Sequence, residues 1–112
     1  MSDPRAVAKA YFNAVASRDV EGIKALFSPH AELVTVTGTM TGPEDIANFY
    51  RDLVFSAQTL EPHSGPFLID GNRLAVEIEL NLDGNVTLVA DLFTITGGQI
   101  DRLAIFMGQP IK

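Results

Sequence analysis

The sequence predicts an α+β protein in which three helices precede the strands of an antiparallel sheet. Apolar residues recur at helical spacing in two segments of the first half, and they alternate with polar residues at period two in the second half. Short turn sequences, of which Asp83-Gly84-Asn85 is the clearest, separate the alternating segments. With 112 residues the chain has the length of one domain, and we expect a single domain over residues 1–112.

The first two helices are predicted from their start signals. Ser2 or Asp3 can cap the first helix, and Pro4 suits its first turn. The apolar face of this helix follows i, i+3, i+4, i+7, i+8 spacing and consists of Val7, Ala10, Tyr11, Ala14 and Val15. Asp19 can cap a short second helix over residues 20–27.

A strand and a third helix are predicted next. Ser28-Pro29 ends the second helix, and the β-branched residues within 31–37 favour a strand. Pro43, followed by two acidic residues, marks the start of a helix near residues 43–54. Its apolar face, again at helical spacing, consists of Ile46, Phe49, Tyr50, Leu53 and Val54.

The second half of the chain is predicted to be stranded. Pro62 and Pro66 restrict the segment 59–69 to an edge strand or a bulged strand. Three further strands, joined by tight turns, are predicted over residues 74–82, 87–95 and 100–107. We expect these strands to form a curved antiparallel sheet that wraps around the three helices.

Asp91 lies in the middle of an apolar strand and is the most informative single residue. Alternation places it on one face with Val89, Phe93 and Ile95, while Leu88, Ala90 and Leu92 occupy the other. Both faces should therefore be covered, which makes the strand central. A buried carboxylate is costly to desolvate, so this group should be paired or protonated. It is either a hydrogen-bond donor in an apolar cavity or an acid satisfied by backbone donors at a bulge or strand end.

Tyr11 and Tyr50 each occupy the centre of the apolar face of a helix. Either residue alone is most simply a core tyrosine whose hydroxyl finds a partner. Together with Asp91 they place three buried polar groups on elements that pack on one core. Their partners are then each other or a ligand.

Composition excludes several classes of function. Eight basic residues against 14 acidic ones give a formal net charge of −6, which argues against nucleic acid and anionic membranes as partners. The chain has no cysteine, no apolar signal region and no apolar run of membrane-spanning length, so we expect a cytoplasmic protein. No cluster has the spacing of metal ligands and no glycine-rich loop suits a phosphate, so neither a metal nor a cofactor is predicted.

Four segments resemble a known family. The sequences Ala10-Tyr11-Phe12-Asn13-Ala14-Val15 and Asp19-Val20-Glu21-Gly22-Ile23-Lys24-Ala25-Leu26-Phe27 are similar to the start of a bacterial ketosteroid isomerase. The sequences Ile46-Ala47-Asn48-Phe49-Tyr50 and Asp91-Leu92-Phe93 continue the similarity. The closing Gly98-Gln99-Ile100-Asp101-Arg102-Leu103 resembles the wider SnoaL-like, nuclear-transport-factor-2-like superfamily.

This resemblance implies a cystatin-like, cone-shaped α+β barrel with an apolar pocket, commonly in a homodimer. The residues matching Tyr11 and Asp91 donate hydrogen bonds to the developing enolate oxygen, and the residue matching Tyr50 supports the first donor. A small apolar ligand would then contact the pocket wall. The residues expected in that wall are Thr35, Phe49, Val76, Ile78, Leu80, Leu82 and Phe93.

The sequence departs from the isomerase pattern at the catalytic base. The carboxylate of the first strand is replaced by Thr35 when counted forward, or by Leu33 when counted back from Gly42. Neither side chain accepts a proton from carbon. His30 and His63 are candidates to replace the missing base.

Three hypotheses follow for the function. The first is an isomerase that acts on a small apolar carbonyl compound by enolate stabilisation. The second is a non-catalytic module for ligand binding or dimerisation. The third is a SnoaL-like cyclase or hydratase that uses acid chemistry at Asp91.

Overall fold

The computed structural model describes residues 3–110, which form three α-helices and a seven-stranded sheet. The helices are α1 (Pro4–Ser17), α2 (Val20–Leu26) and α3 (Pro43–Asp52), and a short 3₁₀ turn follows at Val54–Ser56. The strands are β1 (Phe27–Thr35), β2 (Gly38–Thr41), β3 (Leu60–Ser64), β4 (Leu68–Asp70), β5 (Arg73–Leu82), β6 (Asn85–Thr96) and β7 (Gln99–Pro110). The predicted α+β class, with three helices before most of the sheet, is confirmed.

Side-chain caps fix the starts of the first two helices. The Asp3 carboxylate accepts a hydrogen bond of 3.0 Å from the backbone N–H of Arg5, and Asp19 accepts one of 2.9 Å from that of Gly22. Ser2, the alternative cap, lies outside the described residues. Gly42 starts α3 without a side-chain cap, in a backbone conformation with φ of 89° that glycine adopts without strain.

The apolar face of α1 differs from the prediction at two positions. Ala8 is fully buried, whereas Ala10 is exposed. Successive residues of a helix are rotated by about 100°, and Ala10 therefore lies beside the buried face that Tyr11 centres rather than within it. The helix consequently packs on the core with Tyr11 at the middle of its contact face.

Two boundaries in the first half were predicted wrongly. β1 begins at Phe27 rather than residue 31, because Phe27 pairs with Ile100 of β7 and a bulge before Glu32 accommodates the proline. α3 ends at Asp52, so Val54 lies in the 3₁₀ turn and the Leu53 side chain is 60% exposed. Strand β2 was not predicted; it pairs with β1 across a tight turn.

The sheet has the strand order β2-β1-β7-β6-β5-β3, with β4 also paired to β5. The sheet is mixed and not wholly antiparallel as predicted, because β1 pairs with β7 in parallel while the other neighbouring strands are antiparallel. It is not closed, because β2 and β3 lie at opposite ends of the strand order and do not pair with each other. The proline-containing segment 59–69 divides into the short strands β3 and β4, and β3 forms one edge, in agreement with the edge prediction.

β6 is central in the sheet, but only its inner face is covered. Val89, Asp91 and Phe93 are buried under the helices, whereas Leu88 is 38% exposed and Ala90 is also exposed. The expectation that both faces are covered is therefore wrong for this chain alone. The helices pack on one side of the sheet only, which leaves Leu88 and Ala90 on the uncovered outer side.

Candidate functional site

An apolar cavity of about 350 Å³ lies between the helices and the inner face of the sheet. Residues of α1 and α3 line one side, and residues of β5, β6 and β7 line the other. The exposed side chains of Val36, Leu53 and Met107 also belong to the lining and form an apolar rim at its mouth. A cavity of this size and character suits a small hydrophobic ligand.

The structure places Tyr11, Tyr50 and Asp91 in the lining of this one cavity. Their exposed fractions are only 4%, 2% and 4%. Each residue reaches the cavity because it is at the centre of the buried face of its element: α1, α3 and β6 respectively. The three polar groups thus face a common space that is otherwise almost wholly apolar.

The two tyrosines form a hydrogen-bonded pair through their hydroxyl groups. The Tyr11 ring packs edge-to-face on Phe12 and Phe93, with centroid distances of 5.1 and 5.4 Å, and this packing fixes its direction. Burial raises the pKa of both hydroxyls well above the usual phenol value, so both stay protonated at neutral pH. One hydroxyl donates to the other, and the hydrogen of the accepting hydroxyl remains available to a ligand.

Asp91 is a buried acid with an unused oxygen. Its Oδ1 atom has no hydrogen-bond partner among residues 3–110. Its cross-strand neighbours are Val76 and Ile105 in regular register, and the bulges of the β6–β7 pair lie elsewhere, so a bulge does not satisfy the carboxyl. Desolvation by burial raises its pKa to about 7. Near neutral pH the group is therefore populated in both its protonated and its ionised forms.

Five of the seven predicted wall residues line the cavity: Thr35, Phe49, Ile78, Leu80 and Leu82. Val76 and Phe93 do not, and that part of the prediction is wrong. Both side chains are on the correct face of the sheet, but they lie deeper, where the α1 rings fill the space against the strands. Alternation determines the face of a strand residue, not its depth along the strand.

Several lining residues were missed by the sequence analysis. Ile105 and Met107 of β7 face the cavity, and the register of β7 with the Asp91 strand was the signal that could have found them. Leu53, Val54 and Ala57 line it from the segment after α3. The sequence pattern had placed Leu53 and Val54 on the apolar face of the third helix but had not assigned them to the cavity.

The predicted substitutes for the base are not at the cavity. His30 and His63 are exposed side chains outside its lining. Leu33 is fully buried and also outside the lining, whereas Thr35 belongs to it and contacts the Gly38 carbonyl through Oγ1 at 3.1 Å. Asp91 is therefore the only carboxyl or imidazole group in the cavity lining formed by the described part of the chain.

Arg18 holds the segment that closes one end of the cavity. Its guanidinium donates to the carbonyl oxygens of Phe55 (2.8 Å), Gln58 (2.7 Å) and Ala57. Arg18 itself ends α1 in a left-handed conformation with φ of 57°. The helix that carries Tyr11 is thereby joined to the wall segment that contains Ala57.

Within residues 3–110, no group of His, Asp and Glu side chains has the geometry to hold a metal ion. None of the helices described for this chain is both long and apolar enough to cross a bilayer.

The family model of the SnoaL-like domain matches residues 8–103. The chain belongs to this family. No curated protein matches the sequence of this SnoaL-like domain. The match confirms the SnoaL-like resemblance read from the sequence.

Solved structures with the same nuclear-transport-factor-2-like fold are similar to this SnoaL-like domain. A candidate ketosteroid isomerase from Kribbella flavida has a TM-score of 0.86 and 21% identity, over 97% of this chain and 80% of that one. A candidate polyketide cyclase from Sinorhizobium meliloti has a TM-score of 0.81 and 22% identity, over 89% of this chain and 93% of that one. At these identities the similarity establishes the fold alone.

A third similar structure contains a small molecule. It is a hypothetical protein with a ketosteroid isomerase-like fold from Catenulispora acidiphila, in complex with trimethylamine. It has a TM-score of 0.79 and 17% identity, over 91% of this chain and 85% of that chain. The fold of the SnoaL-like domain is therefore one in which small-ligand complexes occur.

Proposed function

We propose that this domain binds a small apolar carbonyl compound and stabilises its enolate form by hydrogen bonds from Tyr11 and Asp91. The observation that carries this proposal is the meeting of a buried hydroxyl pair and a buried, unpartnered carboxyl in one apolar cavity. An isomerase acting on such a compound would use these donors as its oxyanion site.

The chemistry follows from what each group can donate. A ligand oxygen accepts one hydrogen bond from Tyr11, whose own oxygen accepts from Tyr50, and a second from the protonated carboxyl of Asp91. Negative charge that develops on this oxygen strengthens both bonds in a site that excludes water. The apolar wall binds the rest of the ligand through its hydrophobic surface.

Binding of 2-naphthol by the purified protein tests this proposal, because a phenol places its oxygen where an enolate would. We expect Tyr11→Phe and Asp91→Ala each to raise the dissociation constant of 2-naphthol by roughly tenfold, since each substitution removes one hydrogen bond to a partly charged oxygen. Asp91→Asn keeps a donor and is expected to retain most of the affinity. Calorimetric titration at pH 6 gives the dissociation constant of 2-naphthol for the wild type and the three variants.

Equal affinity in all four proteins would contradict the proposal, because the ligand would then be held by apolar contacts alone. Tyr50→Phe serves as a matched control, since it keeps the ring and removes only the support to Tyr11. We expect its loss of affinity to be smaller than that of Tyr11→Phe.

Two alternatives have support of their own. Thr35 at the position of the base favours a binding module without catalytic activity. Membership of the SnoaL-like family, together with the single carboxyl in the cavity lining, favours a cyclase or hydratase with Asp91 as the acid. In that case Asp91→Asn would abolish turnover while leaving ligand affinity in place, which separates this alternative from the other two.

We also propose that the domain is a cytoplasmic homodimer whose subunits meet through the outer face of the sheet. Leu88 and Ala90 of β6 and Phe106 of β7 are exposed there, and Ala90 is the register partner of Phe106. These three side chains form a small apolar patch, and Glu77 and Glu79 of β5 border it as the register partners of Ala90 and Leu88. An exposed apolar patch is typical of an interface. The absence of cysteine suits a reducing compartment.

Ala90→Arg is expected to convert the dimer into a monomer, because it replaces a methyl group of this patch by a long charged side chain that the interface would have to accommodate and desolvate, even with Glu77 as its register partner. Sedimentation equilibrium across a range of protein concentrations measures the change in mass. Ala6→Arg, the same substitution at an exposed position of α1, is the control and should leave the dimer intact. A dimer that persists in Ala90→Arg would place the interface elsewhere.

A further inference from the structure

We propose that the same cavity also binds a compact alkylammonium ligand, whose charged nitrogen lies between the Asp91 carboxylate and the surrounding aromatic rings. This inference goes beyond the enolate proposal, since it requires the ionised form of Asp91 and a ligand that donates instead of accepting a hydrogen bond. It rests on three properties of the cavity that residues 3–110 form: its aromatic lining, a carboxyl oxygen without a partner among these residues, and a lining to which they contribute no basic side chain.

Four aromatic side chains line the cavity, namely those of Tyr11, Phe12, Phe49 and Tyr50. Neighbouring rings are nearly perpendicular, with interplanar angles of 76° for Tyr11–Phe12, 80° for Tyr11–Tyr50 and 87° for Phe49–Tyr50. A cation within about 6 Å of an aromatic ring face is attracted by the electron-rich face, as in the aromatic cages that bind alkylammonium groups.

Asp91 supplies the complementary charge. Asp91 lines the cavity and its Oδ1 has no partner among the described residues, so the carboxylate keeps the capacity to accept a hydrogen bond from a ligand N–H. The desolvation of this carboxyl belongs to the free energy of folding and is not incurred again when a ligand binds. An ammonium ligand therefore gains its electrostatic interaction with the Asp91 carboxylate, and the cost of binding is the loss of the ligand's own hydration.

The part of the chain that the structure describes places no other charged side chain in the cavity lining. The titratable groups that face it are the Tyr11 hydroxyl from α1 and the Tyr50 hydroxyl from α3. The adjacent strands β5 and β7 place Val76 and Ile105 beside it. Among residues 3–110 no lysine, arginine or histidine belongs to the cavity lining.

The two ligand classes require opposite protonation states. A carbonyl oxygen needs the protonated carboxyl as a donor, whereas an ammonium group needs the carboxylate. Burial raises the pKa of Asp91 to about 7, so each form is accessible close to neutral pH. Affinity for a carbonyl ligand should fall as pH rises through this value, and affinity for an ammonium ligand should rise.

Two probes of similar shape test the inference: N,N-dimethylcyclohexylamine, which is a cation below pH 10, and the ketone acetylcyclohexane. Titration calorimetry at pH 6 and pH 8.5 gives their dissociation constants. We expect the amine to bind about tenfold more tightly at pH 8.5 and the ketone about thirtyfold more weakly, because apparent affinity follows the fraction of protein in the competent protonation state. Phe49→Leu, which removes one aromatic ring, should lower the affinity for the amine more than the affinity for the ketone.

Asp91→Asn separates the two proposals. This substitution should remove the pH dependence of the affinity for both ligands. It should retain the affinity for the ketone and lower the affinity for the amine at pH 8.5 at least tenfold. Amine affinity that is the same at both pH values, or that survives in Asp91→Asn, overturns the ammonium inference and leaves the enolate proposal standing. Amine binding with the expected pH dependence but no ketone or naphthol binding supports the inference and overturns the enolate proposal.

Discussion

Thr35→Asp is expected to raise the turnover of a Δ5-3-ketosteroid, by at most ~10²–10⁴-fold, the usual contribution of a positioned general base. Thr35 lies in the cavity lining with Tyr11 and Asp91, so a carboxylate there reaches the space where the ligand carbons lie. The oxyanion donors are already present in the wild-type chain under the enolate proposal. The added base would supply the missing proton acceptor, and steady-state kinetics of the steroid measures the gain.

Two further variants make this result interpretable. Adding Asp91→Ala to Thr35→Asp should reverse much of the gain, because the enolate would lose one donor. Thr39→Asp is the matched control, since it introduces the same charge on the exposed side of β2, and we expect it to leave turnover unchanged. If the wild-type protein already turns over the ketosteroid rapidly, another group serves as the base. If no variant turns over the ketosteroid and no phenol binds, the isomerase hypothesis is wrong.

Asp91→Asn is expected to change the pH dependence of folding stability. The folded pKa of Asp91 is about 7, against 3.8 in the unfolded chain, so the folded state binds more protons between these values. The contribution of Asp91 to stability is therefore fully present below about pH 4 and is lost as pH rises through 7. At pH 8 the wild-type protein carries an unfavourable buried charge that Asp91→Asn removes.

Urea unfolding of both proteins at pH 5 and pH 8 measures this effect. The difference in free energy of unfolding, variant minus wild type, should increase by about 3 kcal/mol from pH 5 to pH 8, at 1.36 kcal/mol per pKa unit. Asp70→Asn, at an exposed carboxyl of β4, controls for the loss of a surface charge. A variant that is several kcal/mol less stable than the wild type at pH 8 would instead show that Asp91 is ionised and paired.

Local signals in the sequence predicted the three helices and most of the strands, although not β2. The caps Asp3 and Asp19 and the apolar periodicity located α1 and α2, since both are properties of consecutive residues. The convergence of Tyr11, Tyr50 and Asp91 was predictable for a related reason: each is a polar group on the most apolar face of its element, and these faces meet in one core.

Other features depend on contacts that the sequence pattern does not encode. Val76 and Phe93 were assigned to the cavity wall because alternation gives the face of a residue, whereas their depth depends on how closely α1 approaches the sheet. The early start of β1 results from the pairing of Phe27 with Ile100, which is distant in the sequence. The outer face of β6 has the composition of a buried surface, although no part of the described chain covers it.

The guanidinium of Arg18 has a consequence for the local stability of the cavity. The carbonyls of Phe55, Ala57 and Gln58 lie outside the sheet ladder, and this one side chain holds them. Segments that few backbone hydrogen bonds stabilise open with a lower free energy than the core strands do. We therefore expect this wall segment to open as a small unit of its own while the strand that carries Asp91 remains paired.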